Sequence, residues 1–211
     1  MPKTKRRRRM PTRNATVADQ GAALGHLLYE MLILASALVF RNKRHLFSFF
    51  EGLEWGIPQS GLDVIRLKSR LLIDFFELRP RGPHPNEMLV SHFTSVPADA
   101  HPTDAAITRS AGKVDSINEG VAHLSWGRLT RPLPTPQDRK ELDEAALALM
   151  GRAVRFVERG LANGLRLDKV AQTRRQNVNR LYALLRSTPL IDERTVRRPP
   201  PNKRINLETL T

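Results

Sequence analysis

An acid, an amide, a histidine, a tryptophan and an arginine crowd into residues 113–128, KVDSINEGVAHLSWGR. Asp115, Glu119, Ala122 and Trp126 recur at steps of three and four, so a helix would carry them along one side. Asn118 falls between Ser116 and Val121. His123 stands four residues beyond Glu119, the spacing at which a carboxylate and an imidazolium meet on a helix. A carboxylate so placed holds a histidine in one tautomer and raises its basicity, as a general base requires. Arg128 follows about one turn later. The competing reading is structural: a buried His123 bonded to Glu119 or to a carbonyl, with Arg128 paired to Asp74. No nucleophile motif accompanies the set. The chain lacks G-x-S-x-G, a glycine-rich phosphate loop and H-E-x-x-H.

The elements that must position these groups read as helices throughout. Thr16 caps a first helix over 16–41, with Asp19 at the capping-box position. Its apolar residues, Leu24 to Val39, make two adjacent rows, and Glu30 lies beside them. A second segment covers 46–53. Gly56, Pro58 and Gly61 then punctuate the chain before a helix over 61–78. In that helix Leu62, Ile65, Leu72 and Phe76 form one row, and Val64, Leu67, Leu71 and Phe75 another. Asp74 falls between two apolar residues, and Arg70, four residues earlier, can serve it. Residues 79–104 hold His84, His92 and His101 with Asp99 and Asp104, but their spacing fits no regular ligand pattern, so a surface loop is expected. The central helix follows over 104–126, with Gly112 and Gly120 permitting close approach. Thr135 and Pro136 open a helix that Asn163 and Gly164 close. The last helix, 168–187, has a thin apolar stripe and many cations. No strand or repeat is evident. The expected fold is all-α: a bundle of about five main helices over 16–163, a basic amphipathic helix over 164–188, a basic arm over 1–15 and a flexible tail over 189–211.

Charge divides sharply by position. Residues 1–14 carry seven Lys/Arg and no acid; residues 166–211 carry eleven against four acids; residues 15–165 carry seventeen of each sign. The whole net charge of +14 thus sits in two terminal segments of +7 each. Lys3, Lys5, Arg6, Arg7, Arg8 and Arg9 in the arm, and Lys169, Arg174, Arg175, Arg180 and Arg186 in the last helix, are the residues expected to touch a polyanion. The excess of 27 Arg over 8 Lys suits a GC-rich bacterial genome. With no cysteine there can be no disulfide, thiolate metal site or cysteine nucleophile. The basic start is followed by polar residues rather than an apolar signal core, and the longest apolar run, 31–40, is half a membrane span. The expected location is cytoplasmic, with no membrane span, cofactor or metal.

Two stretches resemble a known family. IRLKSRLLIDFF (65–76) followed by INEGVAHLSWGR (117–128) is similar to a family of uncharacterised bacterial all-helical proteins bearing the motif I-N-x-x-V-A-H-L-S/T-x-x-R. LLYEML (27–32) also looks like that family's first helix, so the likeness covers roughly residues 24–160. It implies that Arg70, Asp74, Asn118, His123 and Arg128 form a shared polar set. A looser similarity is to the HEPN helical domains, several of which are ribonucleases with an arginine shortly before a histidine. Here Arg41 precedes His45 with only three residues between, and the order of His123 and Arg128 is reversed.

Three functions compete. The first is a non-enzymatic module whose basic termini bind nucleic acid non-specifically; deleting 1–15 and 166–211 should then abolish binding. The second is a HEPN-like ribonuclease or other hydrolase using Arg70, Asp74, His123 and Arg128 in an open cleft, with Glu30, Asn118 and Glu119 as supporting polar groups. The third is a structural protein that docks an acidic partner through helix 168–187.

Overall fold

The computed structural model describes residues 16–42, 53–78, 88–96, 107–108 and 136–187. Among these the protein is all-α: four α-helices and one short 3-10 turn, with no strand. The helices are α1 (Val17–Asn42), α2 (Leu53–Phe75), α3 (Pro136–Ala162) and α4 (Lys169–Ser187). The arm at 1–15, the segment 46–52, nearly all of the expected helix 104–126 and the tail beyond residue 187 lie outside the described residues.

The start of α1 is a complete capping box. The Asp19 amide donates to Thr16 Oγ1 at 3.1 Å, and the Thr16 amide donates back to Asp19 Oδ2 at 3.0 Å. The Thr16 hydroxyl also donates to Asp19 Oδ2 at 2.6 Å. These bonds, the hydroxyl's first and the amide's second, hold the Asp19 carboxyl below its ordinary range. α1 has the length and hydropathy of a membrane-spanning helix, with a mean hydropathy of 1.8 over its most apolar window. Its apolar rows nevertheless meet protein: Leu24, Leu27, Leu28, Met31, Leu34, Ala35 and Leu38 are all buried against the other helices.

α2 begins eight residues earlier than the sequence punctuation suggests. Its backbone is helical through Gly56, Pro58 and Gly61, although Pro58 in the second turn can donate no hydrogen bond. The first apolar row of this helix, Leu62, Ile65, Leu72 and Phe76, is buried; the second is mixed, with Phe75 buried and Leu67 and Leu71 37% and 40% exposed. The helix ends at Phe75 in a Schellman turn: the Leu78 amide donates to Ile73 O and the Glu77 amide to Asp74 O, both at 3.0 Å. Glu77 takes the left-handed position there, at φ 55°, where glycine is usual. Its carboxylate accepts a bond from the Ser91 amide at 3.1 Å, which ties the end of α2 to the segment 88–96. α3 ends in the same way with Gly164 (φ 89°): Leu165 N donates to Gly160 O and Gly164 N to Leu161 O.

Contacts fix the helix directions. Glu30 meets Lys68 and Phe40 lies beside Gly61, so α2 runs back along α1. Arg41 meets Asp143 and Leu24 lies at Gly160, so α3 is also antiparallel to α1. α4 returns parallel to α1, with Arg166 at Gly21 and Ala171 at Gly25. α1 is therefore the axis on which the other three pack. At one end Phe75, Phe76, Phe93 and Phe156 form an edge-to-face cluster with centroids 5.0–6.0 Å apart. Ile107 joins the same core. Gln20 clamps the 88–96 segment onto this end, accepting from the Ser95 amide and donating to Thr94 Oγ1, both at 3.3 Å.

The basic helix expected at 168–187 is docked on the bundle. Ala171, Val178 and Leu185, seven residues apart, form its buried row. The closeness depends on α1's glycines: a Cβ on Gly21 would stand 2.5 Å from the carbonyl oxygen of Arg166. Across the α3–α4 pair, Gly151 likewise leaves room for the Tyr182 hydroxyl.

Candidate functional site

Of the proposed catalytic set, Arg70 and Asp74 lie within the described residues. Arg70 Nε is 3.6 Å from Asp74 Oδ2 along α2, an ion pair too long for a hydrogen bond. The Asp74 side chain is 8% exposed and Arg70 22%. His123, Arg128, Asn118 and Glu119 lie outside the described residues. Glu30, read as part of the same polar network, pairs with Lys68 at 2.5 Å across the α1–α2 contact. His84, His101, Asp99 and Asp104 also lie outside; His92 is described, and its Nδ1 faces the Leu89 amide at 3.4 Å. Among the described residues no three acidic or histidine groups could hold a metal ion.

A second ionic centre, absent from the sequence reading, lies at the opposite end of the bundle from the phenylalanine cluster. Arg41 Nη1 donates to Asp143 Oδ1 at 2.8 Å, with the two side chains only 8% and 9% exposed. Arg41, whose spacing to His45 already departs from the HEPN arginine–histidine pattern, is buried beside an acid. Arg66 lies nearby, 3.4 Å from Asp63. Burial lowers the Arg66 pKa, the Asp63 carboxylate opposes that shift, and the Arg139 and Arg41 charges add to it. Arg41 and Asp143 thus tie the end of α1 to the beginning of α3, with the Asp63–Arg66 pair of mid-α2 and Arg139 nearby. Isolated charges as deep as Arg41 and Asp143 would be very costly without a counter-charge.

α4 is the third charged surface, and its cations differ in their surroundings. Arg175 makes a two-armed bond to Glu158, at 2.8 and 2.6 Å. Arg174 donates to the Gly25 carbonyl at 3.2 Å and stacks on Tyr29, with its guanidinium 5.1 Å from the ring centre. Arg186 lies over the Tyr182 ring at 5.9 Å. Arg174 and Arg175 hold α4 against α1 and α3, whereas the Arg186–Tyr182 contact lies within α4 itself. Lys169 and Arg180 are exposed, as are Arg155 on α3 and Arg166 in the connection, and none of the four forms an ion pair with a described residue. Residues 155–187 carry eight Lys/Arg against Glu158 and Asp168, a net +6. Both acids are occupied: Glu158 by Arg175, and Asp168 by capping α4, accepting from the Ala171 amide at 2.7 Å.

Fold and surface together define an all-helical protein with a cationic helical edge. No protein-family model, curated protein or solved structure matches the chain.

Proposed function

We propose that this chain is a nucleic-acid-binding helical module acting in the cytoplasm, holding phosphates with its basic N-terminal arm and with the exposed cations around α4. The supporting observation is the pairing pattern on 155–187. Its two acids are taken up by Arg175 and by the α4 cap, while Arg155, Arg166, Lys169 and Arg180 stay exposed without an ion pair to a described residue. Clustered cations without counter-charges attract a polyanion by releasing its condensed counterions. The seven cations of residues 1–14 add to the same attraction.

Because α4 contributes Ala171, Val178 and Leu185 to the core, deleting residues 166–211 would remove part of the fold along with the charge. Charge substitution isolates the effect. Full-length protein is compared with Arg155→Gln/Arg166→Gln/Lys169→Gln/Arg180→Gln in a chain lacking residues 1–14. Binding of a labelled duplex is followed by fluorescence anisotropy, with circular dichroism as the check on folding. The variant should lose at least tenfold in affinity at moderate salt. Unchanged affinity in the folded variant would remove the basis for this reading.

A further inference from the structure

We infer that the outer ridge of α4 reads base edges in the major groove of duplex DNA; this rests on the nucleic-acid reading above and adds sequence preference to it. Twelve of the nineteen α4 residues are exposed, so the helix presents a broad outer face while its buried row packs on the bundle. Opposite the buried row Ala171, Val178 and Leu185 run Lys169, Thr173, Gln176 and Arg180, all exposed and spaced by three or four residues. Asn177 and Asn179 flank them, also exposed. Helix α4 contains no acid. A surface selected for phosphate attraction alone needs cations, but it does not need amides. Arginine pairs bidentately with guanine and glutamine or asparagine with adenine, so this ridge carries the side chains that distinguish base pairs. Gln176 and Arg180 form no hydrogen bond or ion pair with described residues and are free to do so.

The dimensions agree. A helix about 10–12 Å wide enters the roughly 12 Å major groove of B-DNA. Gln176 and Arg180 stand about 6 Å apart along the axis, close to two base-pair steps. Arg155 on α3 and Arg166 in the α3–α4 connection are exposed as well and would add phosphate contacts. The major groove of A-form RNA is too narrow for a helix, so the ridge fits a DNA duplex and not an RNA one.

The test is selection from a pool of duplexes with a randomised core, using full-length protein at near-physiological salt. Enrichment of a short motif is expected. Gln176→Ala and Arg180→Ala, each checked for native helicity, should weaken the preference at one or two positions by about tenfold or more. Gln176→Ala should do so without changing the dependence on salt. Salt-sensitive binding with no motif enriched would overturn base reading and leave the module reading standing. A motif identical in the parent and both variants, or tighter binding to single-stranded RNA than to the duplex, would also overturn it. Absence of binding to any duplex at low salt would overturn both readings.

Discussion

Arg41 and Asp143 are separated by 102 positions and meet at 2.8 Å in a site from which water is almost excluded. Removing one partner takes a buried counter-charge away from the other. Asp143→Leu or Arg41→Met alone should therefore destabilise the fold by about 3–5 kcal/mol, whereas the two combined should cost far less or nothing. Urea unfolding of the two single variants and the double variant closes the cycle; independent effects of the two changes would show that the pair does not act as a unit. Each partner carries only a local signal in the sequence. Asp143 stands four and seven residues before the apolar Leu147 and Met150, and Arg41 three and seven after Leu38 and Leu34. Each is thus a charge on an apolar row. Which distant charge completes it depends on how the helices pack, and spacing within one helix carries no such information. Arg70 and Asp74 were legible because their pairing is local, four residues along one helix.

At the scale of the element, the ends of the helices were easier to read than their interiors. Thr16 and Asp19 form the expected reciprocal cap, and Gly164 takes the expected left-handed position. Such signals need only neighbouring residues. Thr16→Ala should cost about 1 kcal/mol in thermal or urea unfolding. The Asp19 carboxyl has its pKa lowered in the folded state, so its contribution is full above the ordinary value of 3.8 and fades as pH falls through the lower folded value. In Asp19→Asn that acid-side loss should vanish from a stability–pH curve; an unchanged curve would mean that the cap contributes nothing. The start of α2 was missed because Gly56, Pro58 and Gly61 are poor helix residues, yet the helix passes through all three. Helix contacts also determine what a glycine is for. Gly21→Ala would set a Cβ 2.5 Å from a backbone oxygen and should destabilise by about 1–3 kcal/mol, despite alanine's better helix propensity. At Gly25 the new Cβ meets that of Ala171 at 3.4 Å, an ordinary contact, so Gly25→Ala should be neutral or stabilising. Melting temperatures that fall equally in both variants would refute the close-approach account.

For the whole molecule, the all-α class and the unequal charge distribution were plain from composition and periodicity. The integration of α4 was not. A helix with five named cations and a thin apolar stripe reads as a detached amphipathic segment, but two of those cations, Arg174 and Arg175, bind Gly25, Tyr29 and Glu158 on α1 and α3, while Arg186 lies over Tyr182 within α4. That division leaves Lys169 and Arg180, with Arg155 and Arg166 beside them, as the charges available to a partner. The polar set around His123 lies outside the described residues. The most direct measurement is a titration of duplex binding by the full-length protein across a range of salt concentrations. The logarithm of affinity should fall linearly with the logarithm of salt, by about one unit of slope per phosphate contact. Replacing Arg155, Arg166, Lys169 and Arg180 with glutamine should flatten that slope by about three to four units. Binding that is insensitive to salt, or a slope untouched by those four substitutions, would contradict the account.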